Sequence, residues 1–234
     1  MRAEVEPSGK LISGASPERA RDVRAVVFDL DGVLVDSFQV MREAFSVAYA
    51  EVVGDGPAPF EEYSRHLGRY FPDIMRMMGL PLAMEQPFVR ESYRLEHQVT
   101  VYDGIPQMLR TLRERDLALA VATGKSGPRA RSLLATLDLL PMFGCVIGSD
   151  EVPRPKPAPD IVRAALTRLG VEPSAAIMVG DAPTDLASAR AAGVTAVAAI
   201  WGEGDEDELR AAGPDVVLTG PADLLTLCRS GVGR

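Results

Sequence analysis

The chain has 234 residues, 47% hydrophobic and 25% charged, enough for one large domain or for a core domain with a smaller insertion around a sizeable apolar core. A formal charge of −8 argues against nucleic acid or an anionic membrane as partner, since no basic excess offsets phosphate repulsion. No apolar run approaches the roughly 20 residues of a bilayer span, and the first residues lack the apolar centre of a secretory signal, so the expected location is cytoplasmic.

Residues 1–23 carry Pro, Gly and Ser without periodicity and are expected to form a flexible arm. From Arg24 onward, short apolar runs recur at AVVFDL, LALAVAT, CVIGS, AIMVG, VTAVAAI and DVVLT, each bounded by Gly, Asp, Ser or Pro. Amphipathic stretches lie between them: IPQMLRTLRERD, GPRARSLLATLDLL, PDIVRAALTRLG and PTDLASARAAG. Strands alternating with helices predict an α/β fold, a Rossmann-like parallel sheet covered on both faces. One segment breaks the rhythm: about eighty residues separate the first run from LALAVAT, where a crossover needs a dozen or so plus its helix. Its excess reads as helix, in SFQVMREAFSVAYAEVV, FEEYSRHLGRYF, PDIMRMMGL and EQPFVRESYRLEHQ. The predicted organisation is a core domain of residues 24–37 and 101–234, with a helical cap domain inserted at 38–100. Asp36 and Ser37 are expected to cap its first helix, and VYDGIP to form its second hinge strand.

Cys145 and Cys228 are far apart and lack a metal-ligand spacing, so they read as reduced thiols. Only three lysines occur, Lys10, Lys125 and Lys156, which makes each more informative.

In an open parallel sheet, ligands bind beyond the carboxyl ends of the strands. The polar residues that punctuate the runs all fall at that edge: Asp29 and Asp31, then Thr123, Gly124 and Lys125, then Ser149 and Asp150, then Asp181 and Asp185. Lys156 precedes a predicted helix, also at this edge. The carboxylates of Asp29, Asp31, Asp181 and Asp185 would repel one another unless a cation neutralised them, and hard oxygen ligands select Mg²⁺. Thr123, Lys156 and helix-start N–H groups supply donors for an anion. A metal beside an anion pocket points to a phosphate ester.

DLDGVLVDS, VATGKS, RPKPAPDIV and VGDAPTDLASARAAG resemble the four ordered motifs of the haloacid dehalogenase-like hydrolases, and the helical insertion resembles their C1 cap. The resemblance covers Arg24 to about Cys228. It implies that Asp29 is the nucleophile forming an aspartyl phosphate and that Asp31 is the acid/base that protonates the leaving oxygen and then activates water. It implies Mg²⁺ held by the Asp29 carboxylate, the Asp31 backbone carbonyl and Asp181, with Asp185 binding directly or through water, and Thr123, Gly124 and Lys156 on the phosphoryl group. For this role Asp31 must be protonated when substrate binds, which requires a raised pKa from neighbouring acids and cap closure. Gly32 is expected to permit a tight turn. True dehalogenases of the family lack the second Asp, and its phosphonate hydrolases use a cap lysine, absent between Phe38 and Thr100. Both points favour phosphate-ester hydrolysis.

The cap and its surroundings resemble, more finely, the phosphatase-like proteins associated with 3-amino-5-hydroxybenzoate synthesis for ansamycin antibiotics, which implies an aminosugar phosphate or nucleotide aminosugar as substrate. Phosphoglycolate phosphatases are the next resemblance. The same motifs leave open a sugar phosphomutase and a non-enzymatic phospho-acceptor regulator. Arg69, near an expected turn in HLGRYF, and His66, flanking the same loop, are the candidate specificity residues of the cap. The methionines of DIMRMMG read as cap core, Trp201 as packing the sheet edge or lining the crevice, and EGDEDE as a solvated helix start. The expected partner is a small phosphorylated molecule, the expected assembly a monomer or homodimer.

Overall fold

The structure, a computed structural model, describes residues 23–228; the expected arm, apart from Val23, lies outside them. The six apolar runs form six parallel strands: β1 (Ala25–Phe28), β4 (Ala118–Thr123), β5 (Cys145–Gly148), β6 (Ala176–Gly180), β7 (Thr195–Ala199) and β8 (Val216–Leu218). Their order is β5-β4-β1-β6-β7-β8, which puts β1 at the centre, with Val27 opposite Ala120 on one side and Met178 on the other. Order reverses beside β1, so the crevice for a ligand opens at its carboxyl end.

Alternation along each strand feeds two apolar layers. Val26 and Phe28 face the layer built with α5 (Ile105–Glu114), α6 (Gly127–Thr136) and α10 (Pro221–Leu227). Ala25 and Val27 face the layer built with α7 (Asp160–Leu169), α8 (Pro183–Ala192) and α9 (Glu206–Ala211). Ala120, Ala122, Ala165, Ala189, Ala196 and Ala198 are all buried in the second layer. Small side chains there let the helices lie close on the sheet.

Two short strands, β2 (Val35–Asp36) and β3 (Thr100–Val101), pair antiparallel and carry the chain out of the sheet layer and back. Between them lie α1 (Phe38–Val52), α2 (Phe60–Ser64), α3 (Phe71–Met78) and α4 (Glu85–Leu95). They enclose a cluster of their own, rich in rings: Phe45, Phe60, Tyr63, Phe71 and Phe88, with Ile74, Met75 and Met84. Phe71 and Phe88 stack with centroids 4.1 Å apart, and Phe45 stacks on Tyr63 at 4.5 Å. Each fully buried ring contributes roughly 2–3 kcal/mol of burial.

The expected helix over 60–71 is a correction: α2 ends at Ser64, and Arg65–Arg69 forms a loop in which Gly68 takes φ +82°. Of the three methionines read as cap core, Met75 is buried and Met78 half-buried, but Met77 is 52% exposed. No helix of the described residues is long and apolar enough to cross a membrane.

Candidate active site

Beyond β1 the chain turns at once. Leu30 accepts from the N–H groups of Leu34 (2.9 Å) and Val35 (3.2 Å), while the fully buried Leu30, Val33 and Leu34 anchor the turn in the core. Gly32 takes φ +73°, and a β-carbon there would collide with the Asp181 carboxylate, so the turn needs glycine on both counts.

This turn sends the two acids to different partners. Asp29, 2% exposed, accepts the Leu30 N–H at Oδ1 (2.8 Å) and lies 3.0 Å from Lys156 Nζ through Oδ2. Asp31 accepts the Ser37 hydroxyl (2.6 Å) and lies 3.2 Å from Lys125 Nζ, both through Oδ1. Burial pushes Asp29 up; Lys156 pulls it down, Asp185 and Asp31 push it up again, and it stands at about 7. Asp31 goes the other way in the protein without substrate. Burial raises it, but Lys125, the Ser37 hydroxyl and Arg129 together hold it below the ordinary carboxylate range. Ser37 is corrected: it makes no side-chain cap on α1, because its hydroxyl is spent on Asp31. Asp36 accepts from Phe38 N–H at 3.3 Å.

Asp181 follows β6, and Asp185 lies in the first turn of α8, where its Oδ2 accepts the Ala182 N–H (3.1 Å). Asp29, Asp181 and Asp185, all buried, each offer a carboxylate oxygen within 4.8 Å of the others. Asp181 is pushed well above the ordinary range, by burial first and then by Asp29 and Asp185. Lys156, on the loop before α7, bonds Asp185 (2.6 Å) as well as Asp29; burial lowers its pKa, but the two carboxylates outweigh that and raise it. One ammonium among three buried carboxylates leaves excess negative charge, and the donors are all oxygen. The cluster fits a hard divalent cation such as Mg²⁺. The Asp31 carboxylate, turned to Lys125, stands outside it.

Thr123, fully buried at the end of β4, accepts the Lys125 N–H at Oγ1 (3.1 Å). Gly124 allows a close approach: a β-carbon there would sit 2.8 Å from the carbonyl oxygens of Gly68 and Arg69, so the 65–69 loop lies directly on the strand end. Gly68 itself has no room, since its β-carbon would lie 2.8 Å from Ala182 Cβ. The loop thus closes over a cavity of about 410 Å³, lined by Asp29, Asp31, Thr123, Gly124, Lys125 and Asp181 from the sheet edge, by Phe38, Tyr63, Phe71 and Phe88 from the helices, and by Arg69 from the loop itself. Arg69 lines it; His66 does not.

Several neighbours have roles that the sequence did not disclose. Ser149 and Asp150 serve the scaffold: Ser149 donates to the Thr123 carbonyl (3.1 Å), and Asp150 accepts the Gly127 N–H (2.7 Å) at the start of α6. Lys125 and Arg129 both reach the cavity. The scarcity of lysine was a usable signal for Lys125, whereas nothing in the sequence separates Arg129 from any other helical arginine. Glu203 corrects the reading of EGDEDE as solvated. It lines the cavity, accepts the Ser37 N–H (3.0 Å), and is pushed up to about 8, by burial first and then by Asp31. Only the later part of the run behaves as expected, Asp205 accepting the Glu208 N–H to cap α9. Trp201 packs against the core, with its Nε1 donating to the Val33 carbonyl (3.0 Å).

The profile described as "Haloacid dehalogenase-like hydrolase" matches residues 26–199. The chain is 32% identical over 206 residues to the protein named "Probable phosphatase IndB" of Dickeya dadantii, covering 82% of this chain and 88% of that one. It is 32% identical over 226 residues to a phosphoglycolate phosphatase of Chromobacterium violaceum, covering 90% and 99%. Among solved structures it is similar to CbbY of Rhodobacter sphaeroides in complex with phosphate, at 26% identity and TM-score 0.76, over 86% of this chain and 96% of that one. With the motif order, the parallel sheet and these matches together, the chain belongs to the haloacid dehalogenase-like hydrolase family.

Proposed function

We propose that this enzyme is a phosphatase that removes the phosphoryl group of a small phosphorylated metabolite through an aspartyl-phosphate intermediate on Asp29. One observation carries the proposal: two acids of a single turn reach one cavity with opposite partners, Asp29 on Lys156 and Asp31 on Lys125 and Ser37.

In this reading an Asp29 carboxylate oxygen attacks phosphorus while the bond to the substrate alkoxide breaks, and Asp31 delivers its proton to the departing oxygen. Asp31 then takes a proton from water, which attacks the acyl phosphate; inorganic phosphate leaves and Asp29 is regenerated. The net change is ester plus water to alcohol plus phosphate. Because Asp31 is held ionised in the free protein, its proton comes with the substrate: phosphate charge beside it, and the diversion of Lys125 to that charge, move it upward. Thr123, the Gly124 N–H and Lys156 hold the phosphoryl oxygens. Asp29, Asp181 and Asp185, with the Asp31 backbone carbonyl, are the residues that would hold Mg²⁺, which when bound supplies neutralisation of charge on the transferring group. The helices from 38 to 100 act as a cap domain on the core of 24–37 and 101–228.

For the leaving group there are two finer readings. The resemblance to the 3-amino-5-hydroxybenzoate-associated proteins supports an aminosugar phosphate or nucleotide aminosugar, and the match to a phosphoglycolate phosphatase over 99% of that protein supports a small phosphocarboxylate. The test is phosphate release, with and without Mg²⁺, across phosphoglycolate, sugar phosphates, aminosugar phosphates and nucleotide sugars. Magnesium-dependent release that vanishes in Asp29→Asn is expected. Undiminished turnover by that variant overturns the mechanism, and discharge of the intermediate by a sugar phosphate instead of water makes the enzyme a mutase.

A further inference from the structure

Three cations have nearly buried side chains at this site: Lys125 and Arg129 line the cavity, Lys156 lies against Asp29, and the two lysines are matched. Lys156 is bonded to Asp29 and Asp185, and Lys125 to Asp31. Arg129, in the first turn of α6, is 8% exposed, yet among the described residues it has no hydrogen-bond or ion-pair partner. Its neighbour two positions on behaves differently: Arg131 is satisfied by Glu151 (3.0 Å) and the Val146 carbonyl (3.2 Å).

What supports Arg129 instead is a ring. Its guanidinium carbon lies 5.0 Å from the centroid of Phe88, and Phe88 is in turn stacked on Phe71. A ring face attracts the cation but accepts none of its five N–H groups. The carboxylate that acts on it most strongly is Asp31, already committed to Lys125 and Ser37. A guanidinium nine-tenths removed from water with its donors unused, facing a cavity, is a preformed receptor for a planar anion.

We propose that Arg129 binds a second anionic group, a carboxylate or a phosphate, on the part of the substrate that leaves as the alcohol, and so selects doubly anionic phosphate esters. The proposal rests on the phosphatase reading for its orientation: the phosphoryl group lies at Asp29 and Thr123, the departing oxygen at Asp31, and the rest of the molecule extends past Lys125 to Arg129. Arg129, the unmatched cation at that end, disfavours a substrate ammonium there. Of the two finer readings above, a phosphocarboxylate therefore fits better than an aminosugar phosphate.

The test compares esters matched in size, with Mg²⁺ present: 2-phosphoglycolate against ethyl phosphate for a carboxylate, and propanediol bisphosphate against propyl phosphate for a second phosphate. In the unmodified protein kcat/KM is expected to favour the anionic member of at least one pair tenfold or more, and which pair shows it names the anion. In Arg129→Met the ratio should fall at least tenfold, chiefly through KM, with Arg129→Lys between the two. Because each ratio is taken within one preparation, the folded fraction cancels. Should the methionine variant not fold, the lysine variant decides: a ratio lowered threefold or more supports the proposal, an unchanged one overturns it. A ratio near one in the unmodified protein also overturns it, as does a ratio that survives in Arg129→Met while Tm falls, which would make Arg129 only a clasp on Phe88. If the protein hydrolyses none of these esters nor p-nitrophenyl phosphate, the phosphatase reading fails separately. Calorimetric binding of 2-phosphoglycolate and of ethyl phosphate then reads the anion site directly: tenfold weaker binding of the first alone in Arg129→Met supports it, and no difference overturns it.

Discussion

The carboxyl edge of the sheet and the helical segment above it face one cavity but are held by different forces. At the sheet edge, polar groups hold one another: Lys156 bridges Asp29 and Asp185, Lys125 meets Asp31, and Ser149 and Asp150 fasten neighbouring loops. In the helical segment, stacked rings hold the interior and the ion pairs lie on the surface, as with Arg90 and Glu51, whose side chains are about half exposed. Charge pairs buried together depend on each member, because removing one leaves the other unmatched. Apolar area is divisible and directionless. The first region suits chemistry that needs atoms in fixed places, the second suits shape.

Perturbations of each region should separate these behaviours. The largest effect belongs to Asp29→Asn, which should lower turnover by roughly 10³-fold or more and leave no phosphoryl group on the protein, as read by phosphate release and by mass after rapid quench. Lys156→Met should destabilise the fold by about 3–5 kcal/mol in urea unfolding, since it strands buried carboxylates. Added Mg²⁺ should restore more stability to that variant than it adds to the unmodified protein. Phe88→Ala should cost about 3–5 kcal/mol, and hydrogen exchange should quicken in residues 38–95 before it does in β1 and β4; uniform quickening would mean that the two regions unfold as one. Gly68→Ala forces a β-carbon towards Ala182 at φ +82°. It should lift the 65–69 loop, lower kcat/KM about tenfold, and cost roughly 1–3 kcal/mol from the backbone strain. The smallest effect is expected of Arg90→Ala, which breaks an exposed pair with Glu51 and a 3.3 Å contact to Glu91, a nearly buried acid that keeps Arg94 at 2.6 Å, and should leave the unfolding midpoint where it is.

The two regions also differ in how far the sequence discloses them. Every strand of the sheet is visible as a short apolar run, because a strand buried on both faces needs uninterrupted apolar residues. Asp29 and Asp181 are visible as acids directly after such runs, and Lys156 as one of only three lysines, placed before a predicted helix. The 65–69 loop is legible only in part: HLGRYF suggests a turn near Arg69, but FEEYSRHLGRYF as a whole reads as helix, whereas α2 stops at Ser64 and the loop comes down on Gly124. Glu203 passes for solvated because a run of acids has the same composition whether one member turns inward or none does. Asp31 is visible in the sequence, but its downward shift in the protein without substrate is not, as Lys125 and Ser37, which set it, approach through the fold.

The sequence by itself determined the parallel α/β sheet, the place of the helical insertion and the acids at the sheet edge, because periodicity and the punctuation of apolar runs act over a few residues. Tertiary structure alone decided which charges are matched. Asp29 and Lys156 are 127 positions apart, and Arg129 and Phe88 lie on different helices, yet their distances of 3.0 Å and 5.0 Å settle which acid is neutralised and which cation is left for a ligand. Electrostatic pairing depends on separation in space and on burial, and neither quantity exists until the chain has folded.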